Sequence, residues 1–142
     1  AQRQAMAQAT AGTGVDVTRT ADNQLKLEIP SDISFDSGKA AIKPQMRPIL
    51  DRFAQTLKDN PATNVRIIGH TDSKGSDAIN NPLSLDRAAS ARDYLTDRGV
   101  AQGRIEIAGR GSREPVADNG SEAGRARNRR IEVFVAEAAA AR

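Results

Sequence analysis

Hydrophobic residues alternate with polar ones in some stretches of this chain and recur at helical spacing in others, and the two patterns predict different elements. Alternation over residues 15–30 predicts a β-hairpin that turns at Ala21-Asp22-Asn23 and stops at Pro30. The same alternation predicts three further strands, at residues 65–69, from Ile105 to the Gly109-Arg110-Gly111 turn, and at residues 131–135.

Helical spacing predicts a first long helix that opens at Pro44 and ends at Asn60-Pro61. Its apolar face consists of Met46, Ile49, Leu50, Phe53, Ala54 and Leu57. Because these residues form an ordinary buried stripe, we expect a core helix. A brief helix is predicted near the end of the chain, capped by Ser121 and running through Arg127.

The second long helix is predicted to begin after Asn80 and Asn81, since Asn is a good N-cap and Pro82 suits the first helical position. Gly99 is expected to end it. Steps of roughly 100° per residue place Arg87 on the shoulder of the apolar stripe. An arginine at such a position requires an anion from the protein or from a ligand.

Polar residues follow the predicted strand at 65–69, where His70, Thr71 and Asp72 leave the carboxyl end of the strand. Open sheets with helices usually keep their ligand crevices at that end. The loop after Gly69 is therefore the first place to look for a site, and the turn at Asp36-Ser37-Gly38 is expected to face the same crevice.

The order of elements predicts an α/β (α+β) sandwich in which a mixed β-sheet has helices packed on one face. The order is βαβαβ(α)β with an additional N-terminal β-hairpin. We expect one domain over residues 15–135, a flexible segment over residues 1–14 and a disordered tail over residues 136–142.

The amino-acid composition excludes several kinds of site and segment. The chain has 142 residues, a net charge of +3 and no cysteine, so disulfides, thiolate catalysis and cysteine-ligated metals are excluded. No apolar run is long enough for a transmembrane helix, and the first thirty residues contain no hydrophobic core of a signal peptide. Since the chain starts at Ala1, we expect processed or truncated material.

Several motifs, in order and at matching intervals, resemble the OmpA-like C-terminal domain. They are GHTD at residues 69–72, the pattern N-x-x-L-S-x-x-R-A from Asn80 to Ala88, and Asn128-Arg129-Arg130 before the last strand. The opening GTGVDVTRTADNQLKLEIP ahead of FDSGKAAIKP is most similar to lipoprotein members of that family. The resemblance covers about residues 15–135. It implies a non-catalytic, cofactor-free domain at the periplasmic face of the outer membrane, anchored through a lipid or a segment absent from this chain, that binds peptidoglycan.

The resemblance further implies that Asp72 and Arg87 hold the ligand, the diaminopimelate of the stem peptide. Diaminopimelate offers an ammonium and a carboxylate on one tetrahedral carbon. Arg87 is expected to donate two parallel hydrogen bonds to that carboxylate, and Asp72 to accept from the ammonium. The alternative is a salt bridge between Asp72 and Arg87 that only fixes the loop.

Five more residues match family positions beside the ligand, and each has a structural alternative. Asn80 could instead be the N-cap, and Thr71 could shape the turn. Phe35 could be a core residue, Asp36 a turn or cap residue, and Arg129 a solvated arginine in the basic run RARNRR.

Composition and motif spacing also bear on three other classes of function. Nucleic-acid binding is disfavoured because the chain has one Tyr, three Phe and no Trp, and acidic residues interrupt its basic runs. An enzyme or a metal site is disfavoured because His70, the single histidine, has neither a nucleophile nor further ligands at a recognised spacing. A protein–protein interaction module of the cell envelope that uses the same groove remains the chief alternative.

Overall fold

A computed structural model describes residues 15–22, 24–36 and 38–137 of the chain. The predicted flexible segment 1–14 lies outside the described residues, as do residues 138–142 of the predicted tail and two turn residues, Asn23 and Ser37. Five strands form one sheet in the order β1-β2-β5-β3-β4. They are β1 Asp16–Arg19, β2 Leu25–Pro30, β3 Thr63–His70, β4 Ile105–Gly109 and β5 Arg130–Glu137.

The sheet is mixed, as predicted. β1 pairs with β2 as the expected antiparallel hairpin, and β5 lies between β2 and β3 and is antiparallel to both. β3 and β4 are parallel, because a long helix carries the chain back to the end of the sheet where β3 began. β5 continues to Glu137, two residues beyond the predicted domain end.

Helices connect the strands, and the two long ones pack on one face of the sheet. A 3₁₀ turn at Pro44–Met46 leads into α2 (Arg47–Asp59), and α3 spans Asp77–Asp97. A short α1 (Ser31–Ser34) follows β2, and α4 (Glu122–Asn128) precedes β5. Ser121 caps α4 as predicted, since its side chain accepts a hydrogen bond from the backbone N–H of Gly124 at 3.0 Å.

One hydrophobic core lies between the two long helices and the sheet. Burying each of its large side chains contributes roughly 1.5 to 3 kcal/mol, and the inward face of β2, β3 and β5 supplies a continuous layer. Fully buried members of the core include Leu27, Ile29, Leu50, Phe53, Leu57, Ile67, Leu95, Ile131 and Val133. The predicted α/β sandwich with helices on one face is confirmed.

α3 begins earlier than predicted. Ser76, not Asn80 or Asn81, occupies the N-cap position, and Pro82 lies inside the helix. Pro82 removes the N–H that would bond to the carbonyl of Ala78, but both residues are exposed in the first turns, where water can satisfy that carbonyl. The prediction failed because proline normally marks a helix start. The predicted end is confirmed, since Gly99 follows the helix with a φ of 104°.

α3 lies unusually close to the ends of β3 and β4. A Cβ atom added at Gly69 would overlap the backbone carbonyl of Ser84, and one added at Gly109 would overlap the backbone of Leu85. Only glycine therefore allows this approach. The close packing fixes the position of the helix face that carries Asn80 and Arg87. None of the helices in the described part of the chain has the length and apolarity needed to cross a membrane.

Candidate ligand-binding cleft

A cleft of about 600 Å³ opens where the ends of β3 and β5 meet α1 and α3. The structure brings all seven residues predicted for the site into its lining. These are Phe35, Asp36, Thr71, Asp72, Asn80, Arg87 and Arg129. No described residue of the β1–β2 hairpin before Pro30 lines the cleft, so that hairpin leaves it uncovered.

The ladder between β3 and β5 brings Asp72 and Arg129 together. His70 pairs with Arg130 at the end of that ladder, so the residues just beyond each strand emerge side by side. Asp72 is buried, and its Oδ2 accepts a hydrogen bond of 2.7 Å from Arg129 Nη1. Its Oδ1 accepts from the backbone N–H of Lys74 at 2.9 Å. The carboxylate is thus fixed in direction.

Arg129 binds three carboxylates. Its Nε and Nη2 donate to the two carboxylate oxygens of Asp32 at 2.9 and 3.0 Å, and Nη2 also donates to Glu122 at 2.8 Å. The interpretation of Arg129 as a solvated arginine is wrong, since its side chain is only 22% exposed. The hydrogen bond with Asp32 above all raises the pKa of Arg129, and the hydrogen bond with Arg129 lowers the pKa of Glu122.

Arg87 projects from α3, is buried, and has no carboxylate in hydrogen-bonding contact among the described residues. Its Nε donates to the carbonyl of Lys39 at 2.9 Å, and its Nη2 donates to the carbonyl of Asp36 at 3.2 Å. The guanidinium carbon lies 4.9 Å from the centre of the Phe35 ring. Burial lowers the pKa of Arg87, and the negative charges of Asp32 and Asp72 oppose that effect.

No ion pair joins Asp72 to Arg87, although the structure describes both side chains. The alternative of a salt bridge between them is therefore wrong, because Asp72 pairs with Arg129 and Arg87 with main-chain carbonyls. Within the described residues, Nη1 of Arg87 makes no hydrogen bond. Arg87 can still donate from Nη1, but two of its other N–H groups already hold the backbone after α1.

The remaining predicted residues shape the walls of the cleft. Asn80 is not an N-cap: it lies inside α3, and its Nδ2 donates to the carbonyl of Lys74 at 2.8 Å, which closes the loop after β3. Thr71 donates its hydroxyl to the carbonyl of Asp72 at 3.0 Å. Phe35 is a core residue, 4% exposed, whose ring also supports Arg87. The carbonyl of Asp36 accepts from Lys39 in the expected turn.

The sequence patterns did not identify several residues that line the cleft. They include Asp32, Lys43, Lys74, Ile79 and Glu122. Neither Asp32 nor Glu122 belongs to a sequence motif that would mark it as part of the site. The position of Asp32 could have been found only by predicting the pairing of β2 with β5, which places Pro30 opposite Arg130.

The charged side chains that line the cleft are balanced in number. The lining contains four carboxylates and four cationic side chains. Three of the carboxylates surround the single guanidinium of Arg129, so negative charge is in excess there. Among the described residues, Arg87 donates hydrogen bonds to main-chain carbonyls, and Asp32 and Asp72 act on it only through their charge. The two arginines of the cleft therefore differ in their partners, carboxylates for Arg129 and main-chain carbonyls for Arg87.

His70 lies behind the cleft in a buried polar network. Its Nε2 lies 3.0 Å from Glu132 Oε1, and Arg130 Nε donates to Glu132 Oε2 at 2.9 Å. Burial by itself raises the pKa of Glu132, but the hydrogen bonds with His70 and Arg130 outweigh burial and lower the pKa to about 2. The network joins the ends of β3 and β5, from which Asp72 and Arg129 project.

Comparison with known proteins places these features in a family. The sequence pattern of the OmpA family matches residues 34–129. The chain is 43% identical over 122 residues to the probable lipoprotein YiaD of Escherichia coli K12, covering 86% of this chain and 55% of the relative. It is 46% identical over 103 residues to the peptidoglycan-binding protein ArfA of Mycobacterium bovis, covering 72% of this chain and 32% of that protein.

A solved structure has the same fold over nearly the whole chain. The cell wall anchor of the T6SS from Pseudomonas aeruginosa superposes with a TM-score of 0.83 at 32% sequence identity. The superposition covers 96% of this chain and 97% of that one. The curated relatives are longer, since the chain spans about half the length of YiaD and a third of ArfA.

Proposed function

The chain belongs to the OmpA family, and on that premise we propose that it binds peptidoglycan by holding the zwitterionic carbon of diaminopimelate in the stem peptide. The ammonium binds beside Asp72, and the carboxylate binds to Arg87. The observation that carries this proposal is that Asp72 and Arg87 line one cleft without pairing with each other, since Asp72 is bound to Arg129 and Arg87 to a main-chain carbonyl.

The chemistry of the two residues supports this orientation. The Asp72 carboxylate has spare acceptor capacity on both oxygens, since each accepts only one hydrogen bond within the described residues. Arg87 is buried, and no residue that the structure describes accepts from its Nη1 or brings a carboxylate into contact with its guanidinium. A ligand carboxylate would supply the missing counter-charge, which favours binding. The expected pair of parallel bonds from Arg87 can come from Nη1 and the second N–H of Nη2, since the 3.2 Å bond to Asp36 uses only one of the two N–H groups of Nη2.

The affinity of a single site is expected to be modest. Charge-assisted hydrogen bonds contribute roughly 1.5 to 3 kcal/mol each before ordering costs, which corresponds to dissociation constants in the micromolar to millimolar range. A polymeric wall presents many copies of the stem peptide, so dissociation from one is followed by rebinding to another. Weak sites therefore suffice for attachment.

We further propose that binding is the whole activity of the cleft. Among the described residues that line it, Thr71 is the one with a side-chain hydroxyl, and that hydroxyl donates to the backbone carbonyl of Asp72. His70 does not line the cleft and is bound to Glu132 behind it. A nucleophile next to a general base, which hydrolysis of the wall would require, is missing from this set.

The proposed role in the cell is attachment of an outer-membrane component to the cell wall from the periplasmic side. Support comes from the relatives, one named a probable lipoprotein, one a peptidoglycan-binding protein and one a cell wall anchor. A lipid anchor on the full-length protein is part of this proposal.

Sedimentation with insoluble cell walls tests the proposal. The purified chain is mixed with sacculi whose stem peptides contain diaminopimelate and, separately, with sacculi whose stem peptides contain lysine. We expect co-sedimentation with the first alone, and its loss in Asp72→Asn and Arg87→Gln, because each variant removes the charge of one of these two residues. Equal co-sedimentation with both walls would overturn the proposed ligand, and release of soluble fragments would overturn the absence of catalysis.

A further inference from the structure

Arg129 holds Asp72 with one N–H group and Asp32 with two. The bond to Asp72 comes from Nη1 alone, at 2.7 Å, whereas Nε and Nη2 reach both oxygens of Asp32 at 2.9 and 3.0 Å. Bidentate geometry is the strongest arrangement for an arginine and a carboxylate. The preferred partner of Arg129 is therefore Asp32, although Asp72 is the more deeply buried acid, with 10% of its side chain exposed against 54%.

We propose that Asp32, assisted by Glu122, is a positioning residue that limits Arg129 to a single hydrogen bond with Asp72. This inference rests on the proposed function, since it assigns a role within the same cleft. Asp32 holds the guanidinium towards the rim of the cleft. Asp72 consequently keeps acceptor sites for the ammonium of the ligand. Neither Asp32 nor Glu122 needs to contact the ligand for this effect.

The hydrogen-bonding capacity of a carboxylate explains why this matters. A carboxylate has about four acceptor sites, and Asp72 uses one on each oxygen for Lys74 N–H and Arg129 Nη1. If Arg129 turned to bind Asp72 through two N–H groups, both oxygens would carry a guanidinium bond in addition to the Lys74 contact. Three of the four acceptor sites would then be occupied, so the ligand ammonium would find one open site in place of two.

The position of Asp32 is built into the backbone. The N–H of Ser31 donates to the carbonyl of Arg129 at 2.9 Å, so the start of α1 is tied to the same residue that Asp32 binds. Lys43 Nζ donates to the carbonyl of Asp32 at 3.2 Å. Both bonds use main-chain atoms of α1, and they persist when the Asp32 side chain is changed. Asp32→Asn therefore removes the bidentate contact without removing what holds α1 in place.

Glu122 has a secondary part in this arrangement. It reaches Arg129 through a single bond from Nη2, and its side chain is 66% exposed. An exposed single contact is worth less than a bidentate one. We expect Glu122→Gln to act in the same direction as Asp32→Asn with a smaller effect.

A double-mutant cycle tests the inference. A tripeptide that contains diaminopimelate is titrated by calorimetry into wild type, Asp32→Asn, Arg129→Gln and the double variant. When Arg129 is present, Asp32→Asn is expected to weaken binding of the tripeptide by about ten-fold. When Arg129 is replaced by Gln, the same substitution is expected to weaken binding by less than about two-fold. Such a difference is the coupling expected for two residues in contact. An equal loss in both backgrounds would show that Asp32 acts through its own charge and would overturn the inference.

A second ligand separates positioning from general damage to the cleft. The comparison uses the same tripeptide with 2-aminopimelate, which lacks the side-chain ammonium but keeps the carboxylate. Asp32→Asn should leave the affinity for this analogue unchanged, because Asp72 has no ammonium to bind. A matching loss for both peptides would contradict a positioning role. Failure of wild type to bind either peptide would instead overturn the proposed function itself.

Discussion

Arg129 and Asp72 are 57 positions apart in the chain and are joined by a hydrogen bond of 2.7 Å. The contact exists because β3 and β5 are neighbours whose final ladder pair is His70 and Arg130. It also means that Arg129, and not Arg87, is the arginine paired with Asp72 in the unliganded cleft. Among the described residues Arg87 is left without a carboxylate partner, and the proposed binding of a ligand carboxylate depends on that division of partners.

Replacement of Arg87 by lysine should weaken ligand binding although the charge is kept. Arg87 holds two carbonyls and retains a further N–H group at Nη1, whereas a single lysine ammonium cannot reproduce that planar set of donors. We expect Arg87→Lys to reduce affinity for the diaminopimelate tripeptide by about ten-fold or more, the equivalent of one charge-assisted hydrogen bond. Calorimetric titration measures the change.

Arg52→Lys is the matched control for that substitution. Arg52 is exposed on α2 and does not line the cleft. Its replacement should leave the tripeptide affinity unchanged. Wild-type affinity in Arg87→Lys would show that the geometry of the guanidinium is irrelevant to binding.

Stability should fall at acid pH because of Glu132. Its pKa in the folded state is about 2, below the ordinary value of 4.5, so its contribution is complete above pH 4.5 and is lost as the pH falls towards 2. At roughly 1.4 kcal/mol per pKa unit, this contribution is on the order of 3 kcal/mol. Urea denaturation of wild type between pH 7 and pH 2 measures it.

The variant Glu132→Gln isolates this residue from the other acids. It should unfold more easily than wild type at pH 7, because His70 and Arg130 lose their buried anion. The difference in the free energy of unfolding between the two proteins should shrink as the pH is lowered from 4.5 towards 2. A difference that stays constant over this range would show that the charge of Glu132 does not stabilise the fold.

Addition of one methyl group at Gly69 should displace α3 or unfold the protein. A Cβ atom there would overlap the carbonyl of Ser84, which belongs to the helix backbone and cannot rotate away. We expect Gly69→Ala to cost about 3 kcal/mol, at the upper end for overpacking. Gly103→Ala is the control, since a Cβ atom at that position has nothing within 4 Å. Similar urea midpoints for the two variants would contradict the close packing.

Much of the fold was predictable because its elements have regular patterns. Alternation identified the hairpin and the three later strands, and helical spacing identified α2, since burial on one face imposes each period directly on the sequence. The start of α3 was not predictable in this way. Its first turns are almost wholly exposed, so no apolar stripe marks them, and Pro82 wrongly indicated a start five residues later.

The residues of the cleft were predictable, but their partners were not. Motif matching identified seven residues that do line one cleft. Which of them pair is decided by contacts between distant parts of the chain, such as Asp32 with Arg129, 97 positions away. The carbonyls that hold Arg87 belong to Asp36 and Lys39, and any residue type has a carbonyl, so the sequence contains no mark of that interaction.

The most direct test of the central claim is a calorimetric titration of the chain with three matched tripeptides. One contains diaminopimelate, one lysine, which lacks the side-chain carboxylate, and one 2-aminopimelate, which lacks the side-chain ammonium. If Asp72 holds the ammonium and Arg87 the carboxylate, the first tripeptide should bind. Each of the other two should bind at least about ten-fold more weakly, because each lacks the group that one of these two residues holds. Equal affinity for all three would contradict the account.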